Sequence, residues 1–157
     1  MRVSGARARV LFVLLMLVTA NVITIFSFNT AFAAQITARS LTLQQHTAVV
    51  TGGSAIGGVA DHKFSITLPS NTIGSIGFQY CTTASGTCTM PTGLVTTAAT
   101  VSGLSATISS WTITNTTNGT PFIKGGSAIS VSGAQTATIA NVTNPTTAGG
   151  VTFFVRI

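Results

Sequence analysis

The chain is expected to be all-β: an antiparallel two-sheet sandwich of the Ig-like or Greek-key type, with about eight strands, following an N-terminal signal peptide. Three observations predict this. Short alternating or apolar runs, bounded by Gly, Pro, Asn and Ser, recur about every ten residues. No stretch beyond the leader has a helical period, so a parallel sheet would lack its crossover helices. Polarity comes from threonine, with serine, asparagine and glutamine, rather than from charge. Threonine is β-branched and favours half-exposed pleated surfaces.

The first thirty-odd residues have the layout of an export signal. Arg2, Arg7 and Arg9 form a positive n-region, Val10 to Val18 is an unbroken apolar run, and Ala31-Phe32-Ala33 supplies small residues at the positions a signal peptidase reads. Cleavage is expected after Ala33, making Ala34 the first mature residue and dividing the chain into a signal peptide (1–33) and a β domain (34–157). The competing expectation is an uncleaved membrane anchor over residues 10–28, because Ile23, Ile25, Phe26 and Phe28 extend the apolar character. No cysteine follows the apolar run, which excludes a lipoprotein anchor. Either way the expected location is outside the cytoplasm, secreted or at the cell surface.

Loss of the leader changes the charge argument. The formal net charge of the whole chain is +6. Three of its cations are leader arginines, and the mature balance is Arg39, Lys63, Lys124 and Arg156 against Asp61, or +3. These cations are scattered singly, without interleaved aromatics, so nucleic acid is not an expected partner.

The strands are expected in order. Ile36 to Leu43 and Thr47 to Thr51 come first, followed by a flexible Gly-rich turn from Gly52 to Gly58. His62 to Leu68 sets Phe64, Ile66 and Leu68 on one face and Lys63, Ser65 and Thr67 on the other. Pro69, Ser70 and Asn71 should end that strand, and Ile73 to Cys81 should begin the next, with Ile76, Phe78 and Tyr80 on one face. Leu104 to Thr114 switches parity between Ile108 and Trp111, which predicts a bulge near Ser109 and Ser110. Asn118-Gly119 predicts a hairpin turn and Asn144-Pro145 a loop. Ala128 to Ser132, Gln135 to Val142 and Val151 to Ile157 complete the set. The last run stops inside a strand, so the domain is expected to be cut short at its C-terminus or to complete an edge there. Gly52 to Ile56 recurs as Gly125 to Ile129, a repeat better explained by shared turn chemistry than by duplication.

Cys81 and Cys88 have six residues between them, and in an exported chain they are expected to close a disulfide loop. A ring of this size contributes roughly 2–3 kcal/mol in the loop-closure picture. C-x-x-C spacing and further ligands are lacking, which argues against a redox or metal pair.

Asp61 is the only acidic residue in the chain. General acid–base pairs, calcium cages, two-metal sites and hydrolase triads all draw on carboxylates, so no enzyme activity, metal or cofactor is expected. Asp61 and His62 are neighbours on a strand and should point to opposite faces. His46 and His62 read best as solvated surface histidines. Trp111, Tyr80, Phe153 and Phe154 read first as core, but Trp111 and Phe154 would form a sugar-stacking platform if exposed. Asn115, Asn118 and Asn141 match the glycosylation acceptor pattern, a weak signal in a threonine-rich chain.

Ile36 to Leu43, Ile76 to Thr83 with Cys88, Pro91 to Leu94, and Asn144 to Thr147 before Val151 to Ile157 resemble a group of uncharacterised secreted Ser/Thr-rich β proteins of small-genome candidate-phyla bacteria. The resemblance covers most of the mature chain and implies a secreted or surface β protein, with no activity to carry over. The expected function is therefore an exported structural or adhesive domain whose partners are other cell-surface proteins or cell-wall glycans. The membrane is touched only through the N-terminal segment if that is uncleaved. The alternatives are a carbohydrate-binding module and, further off, a membrane barrel.

Overall fold

Alternation through the middle of the chain builds two long strands rather than four short ones. The computed structural model describes residues 36–46, 53–146 and 153–157. The expected cleavage site at Ala31, Ala33 and Ala34, the segment 10–28 and the expected strand at Thr47 to Thr51 lie outside the described residues. Seven strands are seen among the described residues: β1 (Thr37–Gln45), β2 (Val59–Gly77), β3 (Gln79–Cys81), β4 (Thr100–Ser102), β5 (Thr112–Thr114), β6 (Phe122–Thr143) and β7 (Phe154–Arg156). All pairings are antiparallel. One sheet runs β1-β2-β6-β4, with β5 also on β6, and a two-stranded sheet joins β3 to β7. The larger sheet is open, with β1 and β4 at its edges, so the strands do not close into a barrel.

Pro69, Ser70 and Asn71 were expected to end a strand, yet β2 passes through them. The β2/β6 register shifts between Leu68 and Asn71 and again between Ile73 and Ser75, and Gly133, opposite Leu68, has φ +73°. Such bulges bend a ribbon without breaking it. The bend is sharp. Phe64 and Phe78 are 14 residues apart, which would be about 46 Å along a straight strand, but their ring centroids are 4.5 Å apart. The two apolar faces read from the sequence therefore meet. Phe64, Ile66 and Leu68 share one core with Ile76, Phe78 and Tyr80, and Ile123, Val131, Ala137, Ile139 and Val142 of β6 complete it. Each large side chain so buried contributes about 1.5–3 kcal/mol.

Leu104 to Thr114 is not one strand. A 3-10 turn over Ala106–Ile108 separates β4 from β5, and Trp111 N–H bonds Ile108 O. The turn puts Ile108 and Trp111, three residues apart, into the same core at 0% and 3% exposure. The parity switch therefore comes from a 3-10 turn and not from a strand bulge. Asn118-Gly119 does lie in a hairpin loop, between β5 and β6, and Gly119 has φ +78° as such a turn requires. The two related segments share no structure. Gly53 to Ile56 lies in a turn, whereas Gly125 to Ala128 bulges out of β6 opposite Gly74.

Candidate functional site

The even-numbered face of β2 that carries Phe64, Ile66 and Leu68 also carries His62. Burial at 0% exposure contradicts the expectation of a solvated histidine. Its Nδ1 lies 3.0 Å from the Tyr80 hydroxyl and its Nε2 3.0 Å from Asn144 Oδ1. Phe153 stacks on the ring, with centroids 5.6 Å apart and planes 17° apart. The proton positions follow from Asn144, whose Nδ2 donates to the carbonyls of Gly53 at 2.6 Å and Ala55 at 3.0 Å. Its Oδ1 is then the acceptor, His62 Nε2 carries the hydrogen, and Nδ1 accepts from Tyr80 O–H. Every polar atom of the neutral ring is satisfied.

Burial disfavours the charged ring and lowers the His62 pKa to about 4, against the raising influence of the Asn144 bond and the Asp61 charge. Burial likewise pushes the Tyr80 hydroxyl further above its usual range. At neutral pH both groups are uncharged and fully engaged. Both ring nitrogens of His62 are bonded within the fold. The network closes the domain. It joins β2, β3 and the Asn144 loop to the Gly53–Gly58 turn, which Asn144 N–H to Gly58 O and Gly57 N–H to Pro145 O also hold. The turn expected to be flexible is pinned.

Asp61 points the other way from His62, as strand alternation requires. Its Oδ1 accepts from His46 Nδ1 at 2.7 Å and from Asn141 N–H at 3.0 Å. Asn141 has φ +61° at the bulge where two β6 residues oppose one β2 residue, between Ala60 and His62. The single carboxylate thus satisfies a backbone donor freed by the bulge. His46 and His62 lie on opposite faces, and among the described residues no three His, Cys, Asp or Glu gather as metal ligands would.

The remaining amides hold loops. Asn118 accepts from Thr96 N–H at 2.7 Å and donates to Leu94 O at 2.8 Å, and Asn115 donates to the carbonyls of Thr96, Thr97 and Ala99. Asn141 Nδ2 donates to Ala98 O. All three residues of the glycosylation pattern are therefore engaged in fixing the 94–99 loop.

Cys81 and Cys88 are joined, with Cα atoms 5.0 Å apart. Thr82 N–H bonds Thr89 O beside the bridge. Arg156, on β7, donates to Gly86 O at 2.7 Å and to Thr83 O at 3.1 Å, so the disulfide loop grips the last strand. Replacing both cysteines by alanine is expected to cost about 2–3 kcal/mol in urea unfolding. It should also speed amide exchange in Phe154–Arg156, whose ladder among the described residues is three residue pairs long. Unchanged exchange there would show that the loop does not anchor β7.

Trp111 lies in the core, as its first reading has it, and does not meet the condition for stacking on sugars. It is 3% exposed in the core against Gly125, where a Cβ would approach its Nε1 to 2.5 Å. Phe154 is 37% exposed on β7. Sequence reasoning missed the His62–Tyr80–Asn144 network. Its one legible signal is that His62 shares the parity of Phe64, Ile66 and Leu68. No protein-family model matches the chain, and no curated protein or solved structure is significantly similar to it.

Proposed function

We propose that the chain is an exported cell-surface or extracellular domain, structural or adhesive, that performs no catalysis. The observation that carries this reading is where the chemically capable side chains go. His62, Tyr80, Asp61, Asn115, Asn118, Asn144 and Arg156 all bond to their own fold, closing turns, a bulge and loops. Hydroxyl rows run along the other face of the sheet, Ser40, Ser65 and Thr136 across three strands, and Thr42 and Ser102 flanking Lys63 and the buried Thr138 across four. A nearly uncharged hydroxyl surface suits lateral contact with other surface proteins or cell-wall glycans and steers charged substrates poorly. In the finer fold reading the bent β2/β6 ribbon lays its two halves face to face as a two-layer sandwich. The Phe64–Phe78 contact across the bend supports it.

Cell fractionation with N-terminal sequencing tests the export. The expected product begins at Ala34 and lies outside the cytoplasm. An intact 1–33 segment in the membrane pellet would replace the secreted reading by the anchored one, and a cytoplasmic chain would defeat both. The carbohydrate-binding alternative keeps only Phe154 and is not favoured by a second aromatic on the same face.

A further inference from the structure

Asn118-Gly119 is the one asparagine pair in the chain that lies open to attack by its own backbone. In such a pair the nitrogen of the second residue adds to the side-chain carbonyl carbon of the first, closes a cyclic imide and expels ammonia, provided that no side chain crowds the approach. Every other asparagine is followed by Val or Thr, which branch at Cβ, or by Pro, which has no N–H. The hairpin cannot dispense with its glycine. Gly119 has φ +78°, and a Cβ there would meet Met90 at 2.8 Å. The chemistry that makes the turn therefore also builds the vulnerable pair.

The folded chain restrains both reacting groups. Asn118 Oδ1 accepts from Thr96 N–H at 2.7 Å and from Thr96 O–H at 3.2 Å, and Nδ2 donates to Leu94 O at 2.8 Å. Attack would make Cγ tetrahedral and swing both amide atoms out of their plane, so closure pulls against all three bonds. The attacking nitrogen is held as well. Gly119 N–H donates to Thr96 Oγ1 at 2.8 Å, and Gly119 O accepts from Tyr80 N–H at 2.9 Å. Thr96 is 0% exposed and Gly119 is buried, which keeps a base in solvent from the N–H that must be lost. Thr96 is the one residue bonded to both the attacking and the attacked group.

We propose that Asn118-Gly119 is a latent self-modification site that Thr96 keeps closed, and that it converts only when the hairpin parts from the 94–99 loop. On opening, Gly119 N gives its hydrogen to a base in solvent and bonds Asn118 Cγ, the Cγ–Nδ2 bond breaks, and Nδ2 takes up a proton from water and leaves as ammonia. Water then opens the imide at either carbonyl. One product is aspartate; the other is isoaspartate, with an extra methylene in the main chain. Both replace the amide by a carboxylate, which has no N–H for Leu94 O and sets a negative charge against that carbonyl. The loop cannot relatch as before. A transient opening is thereby turned into a permanent release of the 94–99 loop, and a chain with Asp61 as its only acid gains a second.

The full chain is incubated in mildly alkaline buffer, folded and in guanidinium chloride, and peptide mass spectrometry follows the change of amide to acid at Asn118, with chromatography separating isoaspartate from aspartate. The folded chain is expected to convert about a hundred-fold more slowly than the unfolded one, because only its open fraction reacts. Thr96→Val keeps the shape of the side chain but removes the hydroxyl, and should speed conversion in the folded state about ten-fold. Thr96→Ser keeps the hydroxyl and should hold the parent's rate. Should the valine variant fail to fold, the parent alone still decides: in denaturant below the unfolding transition, conversion at Asn118 and amide exchange at Gly119 should rise together. The converted chain, isolated and returned to buffer, should exchange the Thr96 amide faster than the parent does. Conversion as fast folded as unfolded, or conversion that rises without exchange at Gly119, overturns the proposal. So does a folded Thr96→Val that converts at the parent's rate, or more slowly, which would make Thr96 a promoter of the reaction. A converted chain with the parent's exchange at Thr96 overturns the permanent release.

Discussion

Between pH 6.5 and pH 4 the fold is expected to lose about 3 kcal/mol of stability through His62 alone. Unfolded, the imidazole titrates near 6.5; folded, it titrates at about 4. Between these values the unfolded chain binds a proton that the folded chain refuses, so acid draws the equilibrium toward unfolding. Above 6.5 the contribution is complete, and below 4 both states are protonated and nothing further is lost from this group. Burial sets the shift, and the groups facing the ring define its limits. Tyr80 stays neutral throughout, and the Asp61 charge, on the far side of the strand, only partly favours the proton. Urea unfolding at pH 7, 5.5 and 4 measures the slope. His62→Gln retains a donor toward Asn144 but cannot titrate, so it should start less stable and stay level over this range. Parallel profiles for the two proteins would remove His62 as the cause.

Much of the fold was legible because alternation is local. The faces of Phe64, Ile66 and Leu68 and of Ile76, Phe78 and Tyr80 follow from strand period alone, and both are buried. Pro69-Ser70-Asn71 misled because turn chemistry is equally compatible with a bulge. Only the continuity of β6 on the other side decides between them, and that is a pairing across more than sixty residues. The parity switch between Ile108 and Trp111 misled for a related reason. The place of Trp111 in the core depends on a three-residue turn whose i, i+3 spacing looks like broken alternation.

The candidate site was less legible than the core. His62 keeps the parity of the core face, which is a readable sign of burial, but nothing nearby says what would satisfy its nitrogens. The answer lies 18 residues away in Tyr80 and 82 residues away in Asn144. Asn144-Pro145 reads correctly as a loop. That its amide folds inward onto a turn 91 residues earlier is a property of the assembled sheet, not of the dipeptide. The disulfide lies at the other extreme, because a short spacing in a chain read as exported is enough to predict it.

Asn144→Ala is expected to cost about 3–5 kcal/mol, a large share of the ~5–15 kcal/mol that holds a domain of this size. The loss is greater than one hydrogen bond because three groups lose a partner together: His62 Nε2–H and the carbonyls of Gly53 and Ala55. Asn144 is 3% exposed and His62 fully buried, so water does not readily replace the amide at the ring. Amide exchange should rise at Gly57 and Gly58, whose N–H groups depend on the turn that Asn144 holds. Asn144→Asp separates the two roles. It keeps an acceptor for His62 but has no N–H for the turn, and a carboxylate beside the imidazole raises the folded-state pKa of the ring. A folded-state pKa nearer the unfolded value leaves less stability to lose in acid, so this variant should show a shallower pH slope than the parent. Denaturation of both variants at pH 5 and pH 7.5 reads both effects. If Asn144→Ala lies within 1 kcal/mol of the parent, or Asn144→Asp keeps the parent's slope, the buried network does not hold this end of the domain.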